Sequence, residues 1–585
     1  MKVKIVFAAV MALCLAGFIH PPIAASLPVP NICSRHQGTT SPISMKWLYL
    51  ATNLLVDANV DSDIQIVTRA SHLGYNGVMV ADSKFCRWDN LPAHYLENCT
   101  RFRSATKALG MKFIATVVPI GYSNDLLSKD VNLAEGLPVI DAPFEATNDG
   151  HLVPVSENLI KNGNFESTNG PSPAGWDWVD QPGKICVLEG SDSPEGRACL
   201  RMSDISKYDP TNGHARAEET LSLSPFRNYH VSCNVKTLNF ETPGNVQIVV
   251  LGEDGSALQY STLPVKSTMP WQPIDVTFNS LSNSKVTFYI GVWGGKGGTI
   301  WWDNVKVEPA GLVNMIRRPG APFKITSLDG KTIYIEDRDF SNAKDPLLGT
   351  NPWPGSYDSW HQAPVVDLPS DSRIRPGEIV KVSYYNMATV YDGQVTMCMS
   401  EPKTMQLLKW QMDEVRKNLH PDGYMLSYDE IRVGGWDQSC LDSKLTSGEQ
   451  LAKNARECIQ YVKEIDPGKQ ILVWSDMFDP THNAQPKGTY YLVKGDGPWD
   501  KSWLGLDKDV DVVNWQSNPV KRVTSMEHFA KLGCHQILAG YYDGSPDSIK
   551  SWLSDAAKVS GVDGVMYTTW IGNYSDLAAF MKAMQ

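Results

Sequence analysis

Apolar positions follow two different periods in the first and last parts of the chain. Short apolar runs at residues 47–51, 77–81 and 112–118 are separated by stretches 64–73 and 95–109, where apolar residues recur three and four apart. A short continuous apolar run suits a strand covered on both faces, and the longer spaced pattern suits an amphipathic helix. The rhythm stops near Asp141 and resumes at Met405 with a helix over 405–419, a strand over 423–427, a helix over 448–465 and a strand over 470–475. Further strands are predicted at 511–515, 536–541 and 564–569. Strand–helix alternation implies a parallel sheet. Three strands before the interruption and five after it make eight, so the expected fold class is α/β, a TIM (β/α)8 barrel.

The interruption reads as all-β. Between Asn158 and Pro309, short alternating runs such as 230–235, 245–251 and 285–293 are broken by Gly, Ser, Asn and Pro turns, the pattern of a β-sandwich. A second, smaller β-rich segment follows, with runs at 331–336 and 378–385. The expected organisation is a leader over 1–26, a first barrel part over 42–150, an inserted sandwich over 157–309, a β-rich connecting segment over 310–395 and a second barrel part over 396–585. The sandwich opens on Asn158-Leu-Ile-Lys-Asn-Gly-Asn-Phe-Glu166 and closes on Trp301-Trp-Asp-Asn-Val-Lys-Val-Glu308. Both ends resemble those of jelly-roll carbohydrate-binding modules of the galactose-binding-like type. That resemblance implies a jelly roll which binds sugar, holds only a structural calcium, or does neither.

Composition narrows the partners. At 585 residues the chain is too long for one core, so two or three domains are expected. Its net charge of −11 comes without a basic run, which argues against nucleic acid. The 18 Trp and 22 Tyr are flat faces of the kind that stack on sugar rings, although large aromatics also build ordinary cores. The basic start Met-Lys-Val-Lys, the apolar run 5–18 and the small residues Ala24, Ala25 and Ser26 have the layout of a cleaved export signal. A secreted or periplasmic protein is expected. The apolar run is shorter than the roughly 20 residues needed to cross a bilayer, so no membrane span is expected. Of 11 cysteines, ten remain once Cys14 leaves with the leader, an even number that permits disulfides, with Cys86 and Cys99 or Cys186 and Cys199 as the nearest pairs. No CxxC or Cys/His cluster is present, so neither a metal site nor a cofactor is expected.

Barrels of this class carry their chemistry at the C-terminal ends of the strands. The predicted fourth strand ends in Tyr428-Asp429-Glu430, the second in Asp82, the fifth in Trp474-Ser475-Asp476 and the sixth in Trp515. The seventh ends in Tyr541-Tyr542-Asp543 and the eighth in Trp570. Paired carboxyls suit glycoside hydrolysis: one donates a proton to the leaving oxygen while the other faces the positive charge on the sugar ring. Indoles at Trp474, Trp515 and Trp570, with Asp429 next door, would help to keep Glu430 protonated. Asp429 and Glu430 are therefore the candidate catalytic pair. Asp82, Tyr428, Trp474, Asp476, Trp515, Tyr541, Asp543 and Trp570 are the candidate substrate contacts. Arg432, Trp436 and His482 either line the cleft or support its loops.

The stretch from Met397 through Ser400-Glu-Pro-Lys-Thr-Met405 to Pro421-Asp-Gly-Tyr-Met-Leu-Ser-Tyr-Asp-Glu430 resembles the segment leading to the Asp-Glu pair of family 20 glycoside hydrolases, the β-N-acetylhexosaminidases. The resemblance implies that Glu430 is the general acid and that Asp429 orients the substrate's 2-acetamido group, whose oxygen attacks the anomeric carbon. Tyr541 and Asp543 match the family's Tyr-x-Asp, and the three tryptophans match its pocket walls. The chain departs from the family at Met425-Leu-Ser-Tyr428, where a His-x-Gly-Gly is usual, at Gly572 in place of Glu, and at Asn53 in place of a sugar-gripping Arg. The expectation is a secreted glycoside hydrolase. Two alternatives stay open: a retaining enzyme for non-acetamido sugars with Asp543 or Asp476 as nucleophile, and a non-catalytic glycan-binding barrel.

Overall fold

The computed structural model describes residues 43–585 apart from 191, 192, 195 and 392. The expected leader, with Cys14, and also Cys33 lie outside the described residues. Eight parallel strands close into a barrel: β1 (Met45–Ala51), β2 (Gly77–Ala81), β3 (Lys112–Val117), β4 (Gly423–Leu426), β5 (Gln470–Trp474), β6 (Val510–Asn514), β7 (His535–Tyr541) and β8 (Val562–Thr568), with β8 returning to β1.

Both faces of these strands are apolar, and the two-residue alternation of a strand sorts them. Trp47 and Tyr49 of β1 point inward with Met79, Ile114, Met425, Leu472 and Trp474. Leu48 and Leu50 point outward into the layer formed by the helices. Gly77 is a glycine for a local reason: a Cβ there would collide with the Trp47 indole that fills the barrel bottom.

The outer layer consists of α1 (Asp57–His72), α2 (Ala93–Ala108), α3 (Pro402–Leu419), α4 (Ser447–Ile465), α5 (Pro519–Leu532), α6 (Ser548–Ala556) and α7 (Leu577–Ala583). Helix α4 starts at a capping box in which Thr446 accepts from the Glu449 backbone N–H and Glu449 accepts from that of Thr446. It buries Leu451, Ala455, Cys458, Ile459 and Val462, one face at helical spacing. The strict (β/α)8 alternation expected from the sequence is broken after β5. Among the described residues that connection carries no α-helix, but the 3-10 turns Asp476–Phe478 and Ser502–Gly505 and the two-residue strand Leu492–Val493.

Everything between β3 and α3 lies outside the barrel wall. Two five-stranded antiparallel sheets form the sandwich; one is centred on Thr299–Pro309 and the other on Lys285–Val292. Their facing residues, among them Val231, Val235, Phe288, Ile290 and Trp302, make one core. A third sheet of seven strands joins Leu137–Ala146 and His151–Pro154 to Lys324–Ser327, Ile379–Asn386 and three two-residue strands. Residues 137–150 were expected in the first barrel part. Residues 137–145 of that span pair instead with Ile379–Asn386, over 230 positions on, because their alternating face needs an antiparallel partner that nothing in the local sequence announces.

The sandwich sits against the site side of the barrel. Val433 and Leu492, from loops that follow β4 and β5, are part of the sandwich core. The nine described cysteines are all buried, and neither of the disulfides considered, Cys86–Cys99 and Cys186–Cys199, is formed. Cys186 and Cys199 lie on neighbouring strands but face Met202 and Glu189 in register, not each other. No helix among the described residues is long and apolar enough to cross a membrane.

Candidate active site

The C-terminal mouth of the barrel gathers three carboxyl groups. Beyond β4 the backbone turns through Glu430 with φ at 48°, in the left-handed region, so that the carboxylate departs from the strand's alternation. The loop after β3 passes close beneath: a Cβ on Gly121 would strike the Asp429 carbonyl oxygen, and only glycine permits that approach. The approach delivers Tyr122, whose hydroxyl donates to Glu430 Oε2. Arg432 completes the grip with Nη2 2.8 Å from Glu430 Oε1. Both oxygens of Glu430 therefore face donors. Even so, 29% of the side chain stays open to solvent.

Arg432 is itself fixed from three directions. Its Nη1 donates to Gln394 Oε1 at 2.5 Å, and its guanidinium lies 4.8 Å from the ring centre of Tyr391 and 5.2 Å from that of Tyr491. Gln394 in turn donates to the carbonyls of Gly121 and Glu430, both at 2.8 Å, and so ties the β3 and β4 loops together. From the sandwich, the Tyr260 hydroxyl comes within 3.4 Å of the Tyr491 hydroxyl, so the inserted module buttresses this corner of the site.

Asp476, from the end of β5, is fully buried. It accepts from the Glu430 backbone N–H and Asn483 Nδ2, both at 2.9 Å, and from Trp515 Nε1 at 3.1 Å. Burial pushes its carboxyl up to about 7 against the pull of those donors, and the charge of Glu430 adds to the rise. Asp429 is half-buried, and desolvation together with the charges of Asp476 and Glu430 holds it well above the usual carboxylate range. The cluster thus contains one ion-paired carboxylate and two carboxyls biased towards keeping a proton, a division of roles suited to acid–base chemistry.

Aromatic rings wall the cup. The Tyr49 ring centre lies 5.2 Å from that of Trp570, Trp474 lies 6.1 Å from Trp570, and Tyr542 bridges to Trp570 at 6.0 Å and Trp515 at 6.2 Å. Trp515 and Trp570 are half-buried, whereas Trp474 is 3% exposed and forms the floor. The His482 ring packs edge-on 4.5 Å from Trp515, and burial pulls its pKa down, towards the neutral form. Trp436 uses its indole N–H on the Leu492 carbonyl at 2.9 Å, a support for the loop.

Of the residues expected at the site, Asp429, Glu430, Trp474, Asp476, Trp515 and Trp570 are brought together. Three are not. Asp82 is buried and spent on structure: it accepts from Leu54 N–H at 2.8 Å, Lys84 N–H at 3.0 Å and the Tyr95 hydroxyl at 3.1 Å, and so caps the turn after β2. Tyr428 points outward and donates to Asn454 of α4 at 2.8 Å. Tyr541 also points away from the cup; it stacks on Tyr567 at 4.2 Å and donates to Asp576 at 2.8 Å, and Tyr542 takes the place expected for it. Asp543 acts through Trp570: it accepts the Trp570 backbone N–H at 2.7 Å and the Thr569 hydroxyl, which positions the indole. Tyr49 could have been placed from the alternation that sends Trp47 inward. Tyr122, Gln394, Tyr491 and Tyr542 carry no such signal, since they sit in loops.

No protein-family model matches the chain, and no curated protein matches it. Among solved structures, a rhamnosidase from Novosphingobium sp. PP1Y is similar over 92% of this chain and 58% of its own length, at 10% identity and a TM-score of 0.31. A family 4 carbohydrate-binding module is similar over 26% of this chain and 99% of its own length, at 21% identity and a TM-score of 0.19. A family 61 module in complex with β-1,4-galactotriose matches over 26% of this chain and 97% of its own, at 14% identity and a TM-score of 0.20. Likenesses of this strength carry no argument about activity.

Proposed function

We propose that the chain is an exported glycoside hydrolase whose barrel serves as a TIM-type catalytic scaffold. One observation carries the reading: three carboxyls of unlike character meet in a half-open cup walled by Tyr49, Trp515, Tyr542 and Trp570. Cleaving a glycosidic bond needs a proton for the departing oxygen and an anion opposite the developing oxocarbenium charge. Asp429, half-open and proton-retaining, suits the first task. Glu430, anchored by Arg432 and Tyr122, suits the second, which exchanges the roles expected from the family 20 resemblance. Asp476 has all its neighbours engaged and orients the Glu430 backbone; it is a positioning residue rather than a nucleophile. The inserted sandwich is a carbohydrate-binding module in this reading, and the nucleophile is either a substrate acetamido oxygen or Glu430 itself.

Chromogenic N-acetylhexosaminides assayed beside plain hexosides test the proposal. Asp429→Asn and Glu430→Gln are each expected to lose at least about a hundredfold in kcat/KM. The loss in Asp429→Asn shrinks with a dinitrophenyl leaving group, which needs no proton, whereas the loss in Glu430→Gln does not. The reverse pattern returns the acid role to Glu430. Inhibition by a thiazoline analogue selects the acetamido mechanism. Glycan binding without turnover anywhere on the panel overturns the enzyme reading in favour of a glycan-binding scaffold.

A further inference from the structure

Four side chains from separate segments meet in a dry cluster beside the barrel. Glu135 follows the turn Val131–Leu133, Cys398 precedes α3, and, beyond β4, Asp437 caps the short helix Gln438–Asp442 that contains Cys440. One ligand-type atom from each lies within 4.8 Å of all the others, and all four residues are buried. The catalytic scheme uses none of them. Two carboxyls and two thiols are removed together from water, and the buried Arg318 forms an ion pair with only one of them, Asp437.

Surrounding donors already engage both oxygens of Asp437 and one of Glu135. The Trp436 N–H donates to Glu135 Oε1 at 2.9 Å, the Cys440 N–H donates to Asp437 Oδ1 at 3.0 Å, and Arg318 pairs with Asp437 Oδ2 and, at 3.1 Å, with Glu401. Glu135 Oε2 is left facing the sulfurs. Cys398 Sγ lies 3.7 Å from Cys440 Sγ, and Cys440 Sγ lies 3.5 Å from Glu135 Oε2. A tetrahedral zinc with Zn–S of about 2.3 Å and Zn–O of about 2.0 Å has S···S edges of about 3.8 Å and S···O edges of about 3.5 Å.

We infer that Glu135, Cys398, Asp437 and Cys440 form a structural site for a thiophilic divalent cation, zinc(II). Two thiolates favour zinc over magnesium or calcium. Four protein ligands close the coordination sphere, which marks a structural rather than a catalytic centre. Binding displaces the thiol protons, and any carboxyl proton, to solvent with no change of oxidation state. Arg318 and the two backbone amides act as the outer shell that orients the ligands and offsets their excess negative charge. The ion would clamp the segment that carries Gln394 to the one that carries Arg432, and so hold the corner of the site from behind.

The test uses the full chain, produced in zinc-supplemented medium and purified without chelator. Elemental analysis is expected to find close to one zinc per chain, and background only in the Cys398→Ser/Cys440→Ser double variant. Should that variant fail to fold, the wild-type chain decides the matter. After treatment with a chelator, added cobalt(II) should produce thiolate-to-cobalt charge transfer and tetrahedral d–d bands. Zinc(II) should then bleach those bands while shielding two thiols from a disulfide-exchange reagent. That response supports the site even where zinc has been lost in purification. Its absence overturns the site, as does a Cys398–Cys440 cross-linked peptide in a non-reducing digest.

Discussion

Replacing Asp476 with Asn should change how stability depends on pH. The Asp476 carboxyl is pushed up to about 7 from an ordinary 3.8, because burial outweighs three donors. A carboxyl whose pKa is raised by folding stabilises the protein on the acid side, and that contribution is lost as pH rises through the folded value. For these two values, linkage gives a fall of about 3 kcal/mol in unfolding free energy between roughly pH 5 and 9. Asn cannot ionise, so this part of the slope is absent from the variant. The amide facing the Glu430 and Asn483 N–H groups at Oδ2 adds an offset, but one that does not vary with pH. Urea unfolding followed by tryptophan fluorescence, run on both proteins across that range, isolates the slope. The wild-type advantage over the variant should shrink by about 3 kcal/mol as pH rises. Parallel curves would mean that the carboxyl is ionised throughout and that the three hydrogen bonds win over desolvation.

Other expectations follow from the same geometry. Arg432→Met keeps apolar contact with Tyr391 and Tyr491 but leaves Glu430 Oε1 without its cation; kcat should drop by about a hundredfold, as for loss of one preorganised charge partner, while circular dichroism is unchanged. Tyr542→Ala removes a ring face from the cup and should raise KM by about tenfold, equivalent to about 1.4 kcal/mol of binding. Tyr541→Phe loses the bonds to Asp576 and Asn573, so it should cost about 1–2 kcal/mol in a denaturant melt and leave KM alone. Thr446→Ala dismantles the capping box of α4 and should cost about 1 kcal/mol in the same melt with activity retained.

Local periodicity was enough to read the strands of the barrel, the all-β character of the insertion and the carboxyls at the ends of the fourth and fifth strands. Each depends on a repeat of two or 3.6 residues that is written in adjacent positions, and packing enforces it: shifting Trp47 or Tyr49 by one place would turn an indole or phenol from the barrel interior into the helix layer. Alternation stops being a guide where the backbone leaves the strand. Tyr541, Tyr542 and Asp543 all have positive φ, at 75°, 47° and 58°, so the ring that enters the cup is one residue later than the pattern implies. Residues brought in from a distance are beyond any local pattern. Tyr122 reaches Glu430 across 308 positions, and Gln394 reaches Gly121 across 273. Glu135, Cys398 and Cys440 likewise share no motif spacing and meet only once the chain has closed. Tertiary structure also decided that Asp429 and Asp476 are pushed above the usual carboxylate range, because that depends on depth of burial and on the nearness of other charges, two quantities set by packing rather than by residue type.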